Sequence, residues 1–193
     1  MEKMTKDYII QYVIRNINIM DKQFEHPVYS KNVIEFVTVC REFCNWIENS
    51  EIPLREDFEW KALKMLPLLY LKTSVLEKPE TLLDDFLEKF VTETDYEYIR
   101  SRIKTIMGKN DDYLEVFTND MNFSETPIIS TVSENIADIY QDIKDFILNY
   151  RTGITDIMND ALIEIITQFE TFWGQKLLNV LRAIHQTYYE VND

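Results

Sequence analysis

Glycine and proline are scarce in this chain, three and five among 193 residues. Tight β-turns and hairpins draw on both residues, so their scarcity disfavours a strand-rich fold. Cysteine is confined to Cys40 and Cys44 in VCREFC, one helical turn apart. No second pair completes a Cys₄ or Cys₂His₂ zinc site, and the two read as core thiols in a reducing compartment. The histidines are His26 and His185. That excludes HExxH zinc proteases and the paired Glu-x-x-His helices of ferritin-like diiron proteins. It also leaves His185 as the lone base for any Ser-His-Asp or Cys-His arrangement. Gly-rich phosphate loops cannot form from scattered glycines. Arg182 and His185 stand too close for the Arg–His pair of helical RNases. EDFE and ENSE match the first half of the helical pyrophosphatase pattern, but no ExxD follows in a helix.

Long apolar runs are missing too. MLPLLYL falls short of a bilayer span. The opening MEKMTKDYIIQYVIRNINIMDKQ lacks the unbroken apolar region and cleavage site of a signal peptide. These absences lead us to expect a cytoplasmic protein. Positive charge is in deficit, with 20 basic against 34 acidic residues and a net charge of −14. Such a surface repels phosphate backbones and anionic membranes, so neither nucleic acid nor membrane is an expected partner.

What is present is apolar and helical. Hydrophobic residues make up 46% and aromatics 13%, enough for one well-buried core and a single domain over 1–193. Apolar side chains recur at helical spacing almost throughout. The pattern predicts a short helix over 5–16, and a break at His26-Pro27. A helix from the Ser30 cap to about Asn49 follows, with Ile34, Val37, Cys40, Phe43, Cys44 and Ile47 inward. Another covers 55–77, kinked at Pro67. KPETLLDDFLEKF reads as a surface helical turn. Thr92 or Thr94 caps the next helix, with Asp95 or Glu97 completing a capping box, and Gly108 stops it. A helix starting at Ser130 or Ser133 runs to Gly153. Residues 155–190 form one long or two abutting helices bent at Gly174. The expected fold is an all-α bundle of five to seven helices without strands. Its one irregular loop lies near 109–127, with a short helix at DDYLEVF.

Several stretches carry candidate chemistry. Asp84-Asp85…Glu88 and Asp111-Asp112…Glu115 are spaced like the magnesium-diphosphate clusters of prenyl-transferring enzymes, but the same spacing satisfies the free N–H groups of a helix start. In SENIADIYQDIKDFILNYRTG, Ile136, Ile139, Tyr140, Ile143, Phe146, Ile147 and Tyr150 share one face. Glu134, Asp138, Asp142 and Asp145 crowd the other. Glu134, Asp138 and Asp142 form an i,i+4 ladder of like charge, which costs a few tenths of a kcal/mol per pair in an exposed helix. The ladder reads as a solvated face, a cation grip or a docking surface for a basic partner. Asp142 lies nearest the apolar seam and is the member expected to be partly buried. In FETFWGQKLLNVLRAIH, Trp173, Leu177, Val180, Leu181 and Ile184 form a stripe with His185 at its edge, as a structural or a functional histidine.

YLEVF, ENIADIYQDIKDF and FWGQKLLNVLRAIH, in that order, with FVTETDYEYIRSRIKTIMG upstream, resemble a family of uncharacterised all-helical bacterial proteins, a domain of unknown function. The resemblance spans roughly residues 31–189 and implies an all-helical cytoplasmic domain with no assigned activity. Its motif positions fall on Tyr113, Glu115, Asp138, Tyr140, Asp142, Trp173, Gly174 and His185. Where other members often carry a second histidine after Trp-Gly, this chain has Gln175-Lys176. A metal-binding histidine pair would not carry over.

Two functions follow as expectations. The first is a non-enzymatic, cofactor-free module that binds a protein partner through the acidic ladder and the 109–127 loop. Its candidate site residues are Tyr113, Glu115, Asp138, Tyr140, Asp142, Trp173 and His185. The second is a metal-dependent hydrolase or small-ligand site, in which Glu115, Asp138, Asp142 and His185 converge around Mg²⁺, Mn²⁺ or Zn²⁺.

Overall fold

The computed structural model describes residues 26–49, 51–83, 86–114 and 129–190. The helix expected over 5–16, the pair Asp84-Asp85, and Glu115 with the rest of the loop to residue 128 lie outside them. Among the described residues there are six α-helices: α1 (Lys31–Glu48), α2 (Arg55–Ser74), α3 (Glu93–Met107), α4 (Val132–Tyr150), α5 (Thr155–Gln168) and α6 (Gly174–Glu190). Two three-residue strands, β1 (Asp112–Leu114) and β2 (Ile129–Thr131), pair antiparallel, with Asp112 opposite Thr131 and Leu114 opposite Ile129. The fold is a helical bundle as expected, but the strand-free reading is corrected. Asp112–Leu114, expected to be helical, is a strand paired with β2, which leads into α4.

Local chemistry sets the helix starts. Ser30 Oγ accepts from Val33 N at 3.4 Å. Thr92 and Asp95 form a reciprocal box: Asp95 N donates to Thr92 Oγ1 at 3.2 Å, and Thr92 N to Asp95 Oδ2 at 3.0 Å. The cap of α4 is neither Ser130 nor Ser133 but Thr131, whose Oγ1 accepts from Glu134 N at 3.2 Å. Asp111 reaches the same turn, taking Ser133 N at 2.8 Å and Ser133 Oγ at 2.7 Å. Asp111 of the DD pair thus does helix-start chemistry, though for a helix about twenty residues further on, since a carboxylate at a helix N-terminus satisfies free donors and meets the positive end of the dipole.

α4 is the central helix, packed by α1, α3, α5 and α6. Ile136, Ile139 and Ile143 are fully buried on it, against Phe36 of α1, Ile103 of α3 and Leu177 of α6 within one core. In α1, Cys40, Phe43, Cys44 and Ile47 are inward as expected, and the face differs in its first turns. Val33 and Phe36 are buried, whereas Ile34 is 52% exposed. Cys40 and Cys44 are buried and free; burial raises both thiols, Cys44 to about 12, so they act as small apolar side chains.

The bend expected at Gly174 is preceded by a π-helical turn, Phe169–Trp173. A Cβ on Gly174 would sit 2.4 Å from the Phe169 carbonyl oxygen and 2.9 Å from its ring. That close approach explains the glycine after Trp173. Residues 76–83 and 86–91 form no helix or strand, which corrects the helical turn expected there. They make an irregular strap across α4 and α5.

Candidate functional site

An irregular strap must place its backbone N–H and C=O groups somewhere, because leaving them buried and unpaired costs about as much as a lost hydrogen bond each. Four buried polar side chains take them up. Asp160 accepts Leu82 N and Leu83 N, each at 2.9 Å, and Asn159 Nδ2 donates to the Glu80 carbonyl at 2.7 Å. Asp145 Oδ1 accepts Phe90 N at 2.8 Å and Val91 N at 3.0 Å, and Asn149 Nδ2 donates to the Glu88 carbonyl at 2.9 Å. Burial raises the Asp160 carboxyl, but the donors from Leu82, Asn159 and Leu83 outweigh it and the net shift is downward. Asp145, placed by periodicity on the polar face, is in fact 3% exposed.

The ladder is not a solvated face. Only Glu134 is exposed. The Asp138 side chain is 15% exposed and its Oδ2 lies 2.6 Å from Lys176 Nζ. Tyr96 Oη donates to Asp138 Oδ1 at 2.8 Å, and burial together with that bond raises the Tyr96 phenol. Lys176 also donates to Asn135 Oδ1 at 3.1 Å, and Asn135 Nδ2 donates to Tyr113 Oη. Tyr113, Asn135, Lys176, Asp138 and Tyr96 therefore form one chain linking β1, α4, α6 and α3. Lys176 is the cation that neutralises the carboxylate. Asp142, as expected, is partly buried, and its surroundings are the strap rather than this chain.

The remaining predicted residues lie elsewhere. Tyr140 Oη donates to Glu48 Oε1 at 2.8 Å, which also takes Lys144 Nζ at 2.5 Å; burial and Glu48 raise the phenol. Trp173 is fully buried, its Nε1 donating to the Ile165 carbonyl at 3.3 Å. His185 is exposed, its ring 4.7 Å from that of Tyr189. Lys176 and His185 are nine positions apart on α6, about 13 Å along the axis, so His185 does not reach Asp138. Of the set Glu115, Asp138, Asp142 and His185, Glu115 lies outside the described residues, and the other three are not brought together in one site. Among the described residues no group of three or more His, Cys, Asp or Glu is disposed to hold a metal ion, and we assign no metal ligand.

His185 instead lines a groove of about 440 Å³ with Leu63, Pro67, Leu178, Arg182 and Tyr189. The groove borders a surface that periodicity did not single out. α2 buries Phe58, Ala62, Leu66, Leu69 and Thr73 against its neighbours. A second stripe runs at i, i+4, i+7, i+8, i+11 and i+15: Trp60, Lys64, Pro67, Leu68, Leu71 and Val75, all exposed. Lys64 Nζ lies 3.8 Å above the Trp60 ring, so even the charged member covers aromatic surface. The signal that could have revealed it is the lack of a polar side in WKALKMLPLLYL, unusual for a helix at the surface.

The fold and these contacts define a class: a compact helical bundle with a small β-ribbon, whose motif carboxylate Asp138 is tied to Tyr96 and Lys176. The chain belongs to the family described as Domain of unknown function (DUF5063), which matches residues 27–190. A crystal structure of protein BF1032 from Bacteroides fragilis, a structural-genomics target, is 44% identical, with a TM-score of 0.76. The match covers 85% of this chain and 99% of that one. No curated protein matches this chain. Among the described residues no helix is long and apolar enough to cross a membrane.

Proposed function

We propose that this chain is a protein-binding module, and that its contact surface is the α2/α6 face rather than the acidic ladder. The observation that carries the reading is that α2 has two apolar stripes and, among the described residues, packs only one of them. Burying a side chain is worth roughly 25 cal/mol per Å² of apolar surface, so Trp60 at 53%, Leu68 at 40%, Leu71 at 56% and Val75 at 43% exposure leave that gain unrealised in the isolated fold. Contiguous exposed apolar surface of this kind marks interaction sites.

The occupant that fits is an amphipathic helix of another protein with acidic residues beside its apolar face. The stripe spans about 22 Å, some four helical turns, and the groove beside it suits helix-in-groove packing. Arg182 is the charged residue lining the groove, on a chain of net charge −14, and it favours an anionic flank. The same net charge disfavours a second copy.

The test compares capture by three proteins: wild type, Leu68→Glu/Leu71→Glu and Glu134→Lys. Loss of the same bound protein in the α2 variant, with retention in Glu134→Lys and an unchanged melting temperature, is the expected result. Retention by the α2 variant together with loss in Glu134→Lys would return the contact to α4. Raising salt should weaken binding only slightly, since the contact is mainly apolar.

A further inference from the structure

Beneath the strap, Asp142 and Asp145 of α4, Glu164 of α5 and Lys89 of the strap line one cavity of about 10 Å³, together with apolar side chains such as Phe146 and Ile165 and the amides of Asn149 and Gln168. Three carboxylates thus face a single ammonium. Lys89 Nζ lies 2.5 Å from Glu164 Oε1 and 4.0 Å from Asp145 Oδ2. Asp145 Oδ1 is occupied by the Phe90 and Val91 amides. Its Oδ2 and the Oδ2 of Asp142 are buried without a hydrogen-bond partner, although the Asp145 side chain is 4% exposed. Two orphaned carboxylate oxygens three positions apart on one helix face cannot both be anionic there at low cost.

We propose that Asp142 and Asp145 share one proton across this cavity, and that this proton latches the strap to α4. A protonated Asp142 donates to Asp145 Oδ2, directly or through the single water that a cavity of this size can hold, and both orphans are satisfied at once. Removal of the proton leaves Lys89 to balance three anions. The Lys89–Val91 stretch then loosens from Asp145, and the cavity opens to solvent. The groups facing Asp142 are Asp138 and Asp145 from its own helix, Glu164 from α5 and Lys89 from the strap. Burial, and then Asp145, Glu164 and Asp138 against the opposing pull of Lys89, raise its carboxyl to about 7, so the latch would operate in the neutral range. The latch is independent of the α2 surface.

Amide hydrogen exchange at Phe90 and Val91 tests it, corrected for the intrinsic pH dependence of exchange. In the wild type their protection should fall ~10-fold between pH 6 and pH 8.5, because opening is linked to loss of one proton. In Asp142→Asn, whose amide donates to Asp145 at every pH, protection should stay level over that range. Wild-type protection that does not change, or an equal fall in Asp142→Asn, would overturn the latch. Should Asp142→Asn fail to fold, the carbon-13 titration of the Asp142 carboxyl in the wild type decides instead. A midpoint near neutrality supports the shared proton, and one in the ordinary carboxylate range refutes it.

Discussion

The two flanks of the bundle invert each other. On the α4/α5 side, Asp145, Asn149, Asn159 and Asp160 are buried and the chain beside them is irregular. On the α2 side, Trp60, Leu68, Leu71 and Val75 are exposed and the chain is an unbroken helix. The polar burial has a structural cause, since each of those four side chains holds a backbone group of the strap. The apolar exposure has none within the described residues. In this fold, therefore, the inward carboxylates Asp145 and Asp160 are accounted for by the strap backbone they hold.

Substitutions can break that contrast. The largest effect is expected on the strap side. Asp160→Ala leaves Leu82 N and Leu83 N without their acceptor and should cost about 3 kcal/mol in urea unfolding. At the joint between α5 and α6, Gly174→Ala drives a methyl into the Phe169 carbonyl and should cost about 2 kcal/mol. Third comes a pH dependence. The Asp142 carboxyl is raised to about 7 from an ordinary value of 3.8, so between those limits the folded state binds more protons than the unfolded one. Its contribution is then most favourable near pH 4, declines as pH rises through the window, and levels off above 7. After allowance for partial exposure, wild type should lose about 1–2 kcal/mol of stability relative to Asp142→Asn between pH 5 and pH 8. The smallest change belongs to the other flank: Leu68→Glu/Leu71→Glu should leave unfolding within about 0.5 kcal/mol of wild type. A large loss there would mean that the stripe is structural.

Periodicity exposed most of the helices because burial repeats with the helical turn. It placed Trp173, Leu177, Val180 and Ile184 correctly in the core. It misplaced Asp145 because α4 is surrounded, so its second face is buried as well; a two-sided reading of an amphipathic helix assumes that one side meets water. The strap and ribbon were not legible, since their backbone bonds go to side chains and strands distant in sequence, as Asp160 to Leu82 and Asp112 to Thr131. The bridge from Asp138 through Lys176 and Asn135 to Tyr113 joins residues up to about sixty positions apart, and no local spacing announces such a bridge.

The most direct test of the α2 contact surface is photo-crosslinking in cells from a reactive side chain at position 71 of α2, with position 105 of α3 and position 134 of α4 as exposed controls. One discrete crosslinked partner from position 71, and none from the other two, is the predicted result. The same partner from position 134 with none from position 71, or bare protein from all three, would contradict it.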